Sequence, residues 1–316
     1  MKFLSVMVNA LGRRVLQATL VAFIVSTLCF VMTRMLPGDM AYRIAAGRYG
    51  YDMVSSAAAD AVHRELGLDL PLLQALWHWW RQLFQFDLGT SYVTARTVSS
   101  EIITQLGPTL QLSLLAIFLS CVIGPAIGIW AGLRPNGIID RTSLCLSVLL
   151  RAMPTFVLGL LLIMVFSVQM GALPAAGPHM HGSILLPALT LALGLAAVSS
   201  RVTRDVMVSV STSAYFTFAR TKGLSLSQTL VHHGLRNIAA PVIAYLGIQL
   251  VFLIEGVVLV ETIFAWPGIG HALVHAIFSR DIPMIQGTAL MLGMMFVLFN
   301  TCIDLLCTII DPRRRQ

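Results

Sequence analysis

A polar, basic segment interrupts an otherwise apolar chain: Tyr215-Phe216-Thr217-Phe218-Ala219-Arg220-Thr221-Lys222-Gly223-Leu224-Ser225, then His232, His233, Gly234, Leu235, Arg236, Asn237 and Pro241. Cations beside small residues suit a surface that another protein grips. A guanidinium holds a carboxylate in a fixed fork. Tyr215, Ala219 and Gly223, spaced four apart, would share one side of a short helix, and the two small residues would let a partner approach closely. Gly223 can end that helix and turn the chain. The same composition also fits an ordinary basic loop between two membrane spans.

Other chemistry is thinly represented. A Walker A loop needs a glycine-rich turn ending in Lys followed by Ser or Thr. The chain has two lysines, Lys2 and Lys222, and neither fits, so ATP hydrolysis by that route is excluded. There is no GxSxG; Gly223-Leu224-Ser225-Leu226-Ser227 matches only its start. His179 and His181, with Met180 between, offer two imidazoles to a metal or metal chelate, without further ligands beside them. Cys29, Cys121, Cys145, Cys302 and Cys307 form no CxxC pair and lie in apolar runs, which suits buried thiols rather than a disulfide framework.

The elements that must position these residues are membrane spans. Of 316 residues, 57% are hydrophobic and 11% charged, with a mean hydropathy of +0.83, well below the charge of a soluble domain. The net charge of +7 needs no nucleic acid, because cytoplasmic loops of membrane proteins carry such an excess. Apolar runs, uncharged but for Glu255 and Asp304, give six candidate spans: 15–33, one within 109–133, 153–172, 184–200, 238–260 and 284–308. Pro174, Gly177 and Pro178 divide the long run from Ala152 to Ser200. The third span could begin nearer Thr142 if Arg151 is tolerated at its inner end. The first is retained rather than cleaved, since Val31-Met32-Thr33-Arg34 holds no small-x-small site.

Arginines and lysines of the short loops set the orientation. Lys2, Arg13 and Arg14, then Arg134, Arg141 and Arg151, then Arg201, Arg204, Arg220, Lys222 and Arg236, and finally Arg313 to Arg315 fall on one side. Both termini are therefore expected in the cytoplasm. The chain divides into a first span (1–33), an outer loop (34–106), a five-helix core (107–310) holding the basic inner loop 204–237, and a tail (311–316). Within the outer loop, Trp77, Trp79 and Trp80 recur with Leu72, Leu73, Leu76, Leu83 and Phe84 at helical spacing, which predicts an amphipathic helix over 72–86 at the outer surface. Inside the spans, Glu255, Glu261 at an outer end, and Asp304 one turn from Asn300 carry polarity that lipid disfavours. Glu255 and Glu261 are candidates to line a path; Asp304 with Asn300 reads as a helix contact.

The inner segment Ala219-Arg220-Thr221-Lys222-Gly223-Leu224-Ser225, with Leu235-Arg236-Asn237 and Pro241, resembles the coupling motif of the dipeptide/oligopeptide/nickel permease family of ABC importers. Thr217 stands where that motif has its acidic residue. Further matches run in order along nearly the whole chain: Leu36-Pro37-Gly38-Asp39, Leu66-Gly67-Leu68-Asp69, Asp87-Leu88-Gly89-Thr90-Ser91, Leu173-Pro174-Ala175-Ala176-Gly177, Glu261-Thr262-Ile263-Phe264-Ala265-Trp266-Pro267-Gly268-Ile269-Gly270, and Asp311-Pro312-Arg313. The long outer loop resembles that of the first of two permease subunits.

This resemblance implies an all-α, six-span permease of the type I importer fold in a bacterial inner membrane. It implies a second homologous permease, two cytoplasmic ATPase subunits that bind ATP and Mg²⁺, and an extracytoplasmic substrate-binding protein. No cofactor is implied in this chain. Tyr215, Ala219, Arg220, Lys222, Gly223 and Leu224 would take the ATPase stroke, and the cargo would be short peptides or nickel and metallophore chelates. Two other classes stay open on the residues alone. An ion-driven carrier would use the intramembrane charges, although no inverted repeat is evident. An intramembrane hydrolase would need an activated serine or acid pair, for which the spans hold no motif.

Overall fold

The computed structural model describes residues 2–35, 38–50, 54–66, 71–178 and 182–310. In chain order the helices are α1 (Lys2–Met35), α2 (Met40–Tyr49), α3 (Ser56–Leu66), α4 (Leu72–Phe84), α5 (Val98–Leu133), α6 (Ile138–Ala152), α7 (Thr155–Leu162), α8 (Leu185–Ser211), α9 (Ala214–Thr221), α10 (Leu226–Thr229), α11 (Leu235–Ile263), α12 (Ile269–Ser279) and α13 (Ile282–Ile310). Widened π turns extend α7 over Ile163–Gln169 and join α10 to α11 over Leu230–Gly234. Among the described residues the only β pairing is an isolated bridge between Thr90 and Thr97.

Among the described residues, four single helices are long and apolar enough to cross a membrane, within Arg14–Thr33, Val98–Leu133, Leu185–Ser211 and Ile282–Cys302. A fifth candidate is the pair Ile138–Ala152 and Thr155–Gln169, bent by 108°. The sixth expected span, 238–260, falls inside α11, a continuous helix of 29 residues. The bend falls at the start of the expected third span. Met153 is extended (ψ 132°) ahead of Pro154, as the ring of a following proline requires. Arg151 therefore sits at a corner, with α6 before the bend and α7 after it.

The chain divides into two compact units, Met1–Thr109 with Pro267–Val297, and Leu110–Trp266 with Leu298–Gln316. In the first unit the expected amphipathic helix is α4. Trp79 is buried against Phe30 of α1, and Trp80 donates from Nε1 to Thr27 Oγ1 (3.3 Å) while its ring lies 4.8 Å from that of Phe23. Trp77, Leu73 and Phe84 remain exposed. Thr27 lies six residues inside the end of its apolar stretch at Thr33, about 9 Å at 1.5 Å per residue, so the tryptophans grip α1 within that stretch. At the α12–α13 corner, buried Asp281 accepts from Ser91 Oγ and from the Tyr92 amide (3.1 Å), fixing the connection that follows α4.

The second unit is built around α8. Gly124, Gly128 and Gly132 of α5 form a seam against it: a Cβ at Gly128 would meet the Ser200 carbonyl oxygen and come within 2.6 Å of Thr203 Cβ, and one at Gly132 within 2.6 Å of Met207 Cβ. Spacing of four aligns the three glycines on one face, letting the backbones approach. α6 is clamped to α8 by Asp140, whose carboxylate takes Arg204 Nη2 at 2.6 Å and Arg201 Nη1 at 3.1 Å. The Ser147 and Ser200 hydroxyls share a hydrogen bond of 3.2 Å in the same interface. On another side α11 packs against α7 and α8, with Phe264 fully buried and its ring 3.2 Å from a Cβ placed on Gly159.

Candidate functional site: the basic elbow after α8

The basic inner loop expected over 204–237 is mostly helical. α8 runs on to Ser211, so Arg201 and Arg204 belong to the helix and its clamp, and α9 begins three residues later. α9 ends in a Schellman motif. The Gly223 amide donates to Arg220 O (3.1 Å) and the Leu224 amide to Ala219 O (3.3 Å), while Gly223 adopts φ +88°, a conformation that glycine reaches without steric cost. The role of Gly223 as helix stop is thus explicit in the backbone. Two residues later a capping box starts α10: Ser225 Oγ accepts from the Gln228 amide (3.2 Å) and the Ser225 amide donates to Gln228 Oε1 (2.9 Å). Stop and start fall within a few residues, which makes the elbow tight.

The helix has two unlike faces. Phe216 and Ala219 are buried, Phe216 in a cluster with Met207 and Val210 of α8 and Ile238 and Val242 of α11. Ala219 therefore serves packing within this chain rather than the approach of a partner. The other face shows Tyr215 and Phe218, 43% and 60% exposed, together with exposed Thr217, Arg220, Lys222 and Gly223. Leu224 is half-buried. Lys222 Nζ stands 4.6 Å from the Phe218 ring centroid, a cation–π distance, and the Arg220 guanidinium donates to Leu224 O (2.8 Å). Both cations are thereby held near the elbow, Lys222 over an aromatic ring and Arg220 on a backbone carbonyl. Phe218 was not among the residues the sequence singled out; its signal was its position four before Lys222 and three after Tyr215.

Other candidates scatter. Glu255 is exposed on α11 and Glu261 fully buried near its end; the two are not brought together into one site. His179, His181 and the tail 311–316 lie outside the described residues, as do the side chains of Arg236 and Asp304. Among the described residues no group of three or more His, Cys, Asp or Glu is placed to hold a metal ion.

Comparison with known proteins agrees with this architecture. Residues 124–316 match the family described as binding-protein-dependent transport system inner membrane component, and residues 7–113 match its N-terminal companion. The glutathione transport system permease protein GsiC of Pectobacterium atrosepticum is 39% identical over 98% of this chain and 99% of its own length. That of Escherichia coli strain K12 is 38% identical over the same shares. Among solved structures, a chain of the MetNI methionine ABC transporter, crystallised in inward-facing conformations, superposes with a TM-score of 0.55 at 17% identity, covering 66% of this chain and 96% of that one; this likeness speaks to the fold. Matches over both halves of the chain, and relatives alike from end to end, make it a member of the binding-protein-dependent transport system inner membrane components, a dipeptide/oligopeptide-type permease subunit of an ABC importer.

Proposed function

We propose that this permease carries short peptides inward, paired with a second, different permease, and that the exposed face of α9 receives the stroke of two ATPase subunits. The relatives named for glutathione transport, a small peptide, favour this cargo class. The observation that carries the mechanical part is the two-faced elbow. Its outer face offers Tyr215, Phe218, Arg220 and Lys222 to a partner, and its inner face keys Phe216 between α8 and α11. A push on α9 is passed to both helices because packed side chains yield in discrete steps, not gradually. Both termini would lie on the ATPase side, as the arginine distribution favours.

The test is purification of the tagged chain, followed by reconstitution with its companions. A second permease and ATPases should accompany it, and labelled tripeptide should enter vesicles only with ATP and the binding protein. Uptake by the chain alone would instead favour an ion-driven carrier. ATP-driven uptake of a nickel chelate but not of any peptide would move the cargo to the metal branch.

Glu255 is a further part of this proposal. A carboxylate exposed on a span is tolerated against water or another chain, not against lipid, which suits a path lining that favours amine-bearing cargo. Glu255→Gln is expected to lower uptake several-fold at limiting substrate. Unchanged initial rates would remove Glu255 from the path.

A further inference from the structure

Beside the corner at Pro154, a cavity of about 260 Å³ opens between α7, α8 and α11. Its lining is mixed: Leu158, Leu195 and Phe252 are among the apolar side chains, and Thr155, Thr190, Arg151 and Gln249 bring polar groups to it. Gln249 is 3% exposed, and its Nε2 has no hydrogen-bond partner among the described residues. A buried amide donor without an acceptor is costly and calls for an explanation. Arg151 holds its guanidinium 5.4 Å from the Phe252 ring centroid. No carboxylate lies within salt-bridge distance of it among the described residues, and no acidic side chain lines the cavity.

We infer that Arg151 and Gln249 form a subsite for the terminal carboxylate of a short peptide in transit. The assignment rests on the peptide reading above and adds the end by which the cargo is held. A planar carboxylate can take two parallel bonds from a guanidinium fork, and Arg151 is exposed, which leaves its fork accessible at the mouth of the cavity beside the buried Gln249 amide. A remaining oxygen, or the adjoining peptide carbonyl, would accept from Gln249 Nε2. The space is smaller than most small-molecule sites, which run from about 300 to 1,000 Å³, so it fits one end of a peptide and not the whole. A Cβ placed on Gly194, also in the wall, would meet nothing within 4 Å, leaving room for a terminal side chain.

The test uses the assembled importer in proteoliposomes, with two probes: a labelled Ala-Ala-Ala tripeptide and its C-terminal amide. Selection by the binding protein is common to all permease variants and cancels when rate ratios are compared. The wild-type acid-to-amide ratio of initial uptake should fall by about tenfold in Arg151→Gln, as loss of a charge-assisted pair implies. Arg151→Lys should restore part of it. Gln249→Leu, which removes a donor but no charge, should lower the ratio by a smaller factor and keeps the test open if the arginine variant fails to assemble. Equal losses for acid and amide in the variants would make Arg151 and Gln249 packing groups or a lipid-headgroup contact, and overturn the subsite. Wild-type importer that takes up neither probe would instead overturn the peptide reading itself.

Discussion

Gly223→Asp should abolish ATP-driven uptake while the chain still inserts and co-purifies with the second permease. The expectation rests on two properties of one position. Gly223 holds φ +88° and closes the Schellman motif through its amide and that of Leu224. A residue with a Cβ in a left-handed conformation costs about 1–2 kcal/mol, and Asn and Asp bear this better than most others. The backbone penalty is therefore shared by Gly223→Asn, and the pair isolates the charge. Asp places an anion beside Arg220 and Lys222, where it competes with a partner's carboxylates for the cations. Asn should retain a substantial fraction of uptake, Asp should reduce it by more than about tenfold, the equivalent of one lost charge-assisted contact, and Gly223→Val should fail through strain. Uptake rates normalised to permease in the membrane, read beside the amount of ATPase retained, give the answer. Full transport by the Asp variant with normal ATPase docking would detach α9 from coupling.

Much of this architecture was legible in the residues. Apolar runs long enough to cross a bilayer fall within α1, α5, α8 and α13, because no other environment accepts such lengths of apolar chain. The tryptophan-rich α4 announced itself by period, and Gly223 by the one conformation that ends a helix so sharply. Other features were hidden for identifiable reasons. Tyr215, Phe216, Phe218 and Ala219 put apolar surface all around an eight-residue helix, so its period could not say which side was buried, and Ala219 was assigned outward. Arg201 and Arg204 read as loop cations because their partner, Asp140, lies more than sixty residues earlier; the pairing exists only in three dimensions. For the same reason Arg151 looked like a topology marker, and nothing local linked it to Gln249. The site was thus readable as a segment, while its facing depended on what α8 and α11 place beneath it.

The glycine seam is the case where spacing was present in the sequence but its meaning came from the partner helix. Gly128→Leu should prevent the second unit from folding, with at least a tenfold drop in monodisperse protein recovered from membranes. Overpacking a well-filled site usually costs about 1–3 kcal/mol, but here the obstacles include backbone: the Ser200 carbonyl oxygen and, 3.0 Å from a Cβ, the Arg204 amide nitrogen. Side chains can rotate away, whereas these atoms move only if α8 moves. Thr203→Gly should therefore fail to rescue Gly128→Leu, since it clears Thr203 Cβ alone. Gly107→Ala on the same helix is the control, because a Cβ there meets nothing within 4 Å and alanine favours a helix by up to about 1 kcal/mol over glycine. Normal recovery and elution of Gly128→Leu would mean that α5 and α8 are not in close contact. The consequence reaches the elbow: Arg204 joins the α6 clamp, and Met207 and Val210 support Phe216. A displaced α8 would thus release α6 and leave α9 without the bed on which it packs.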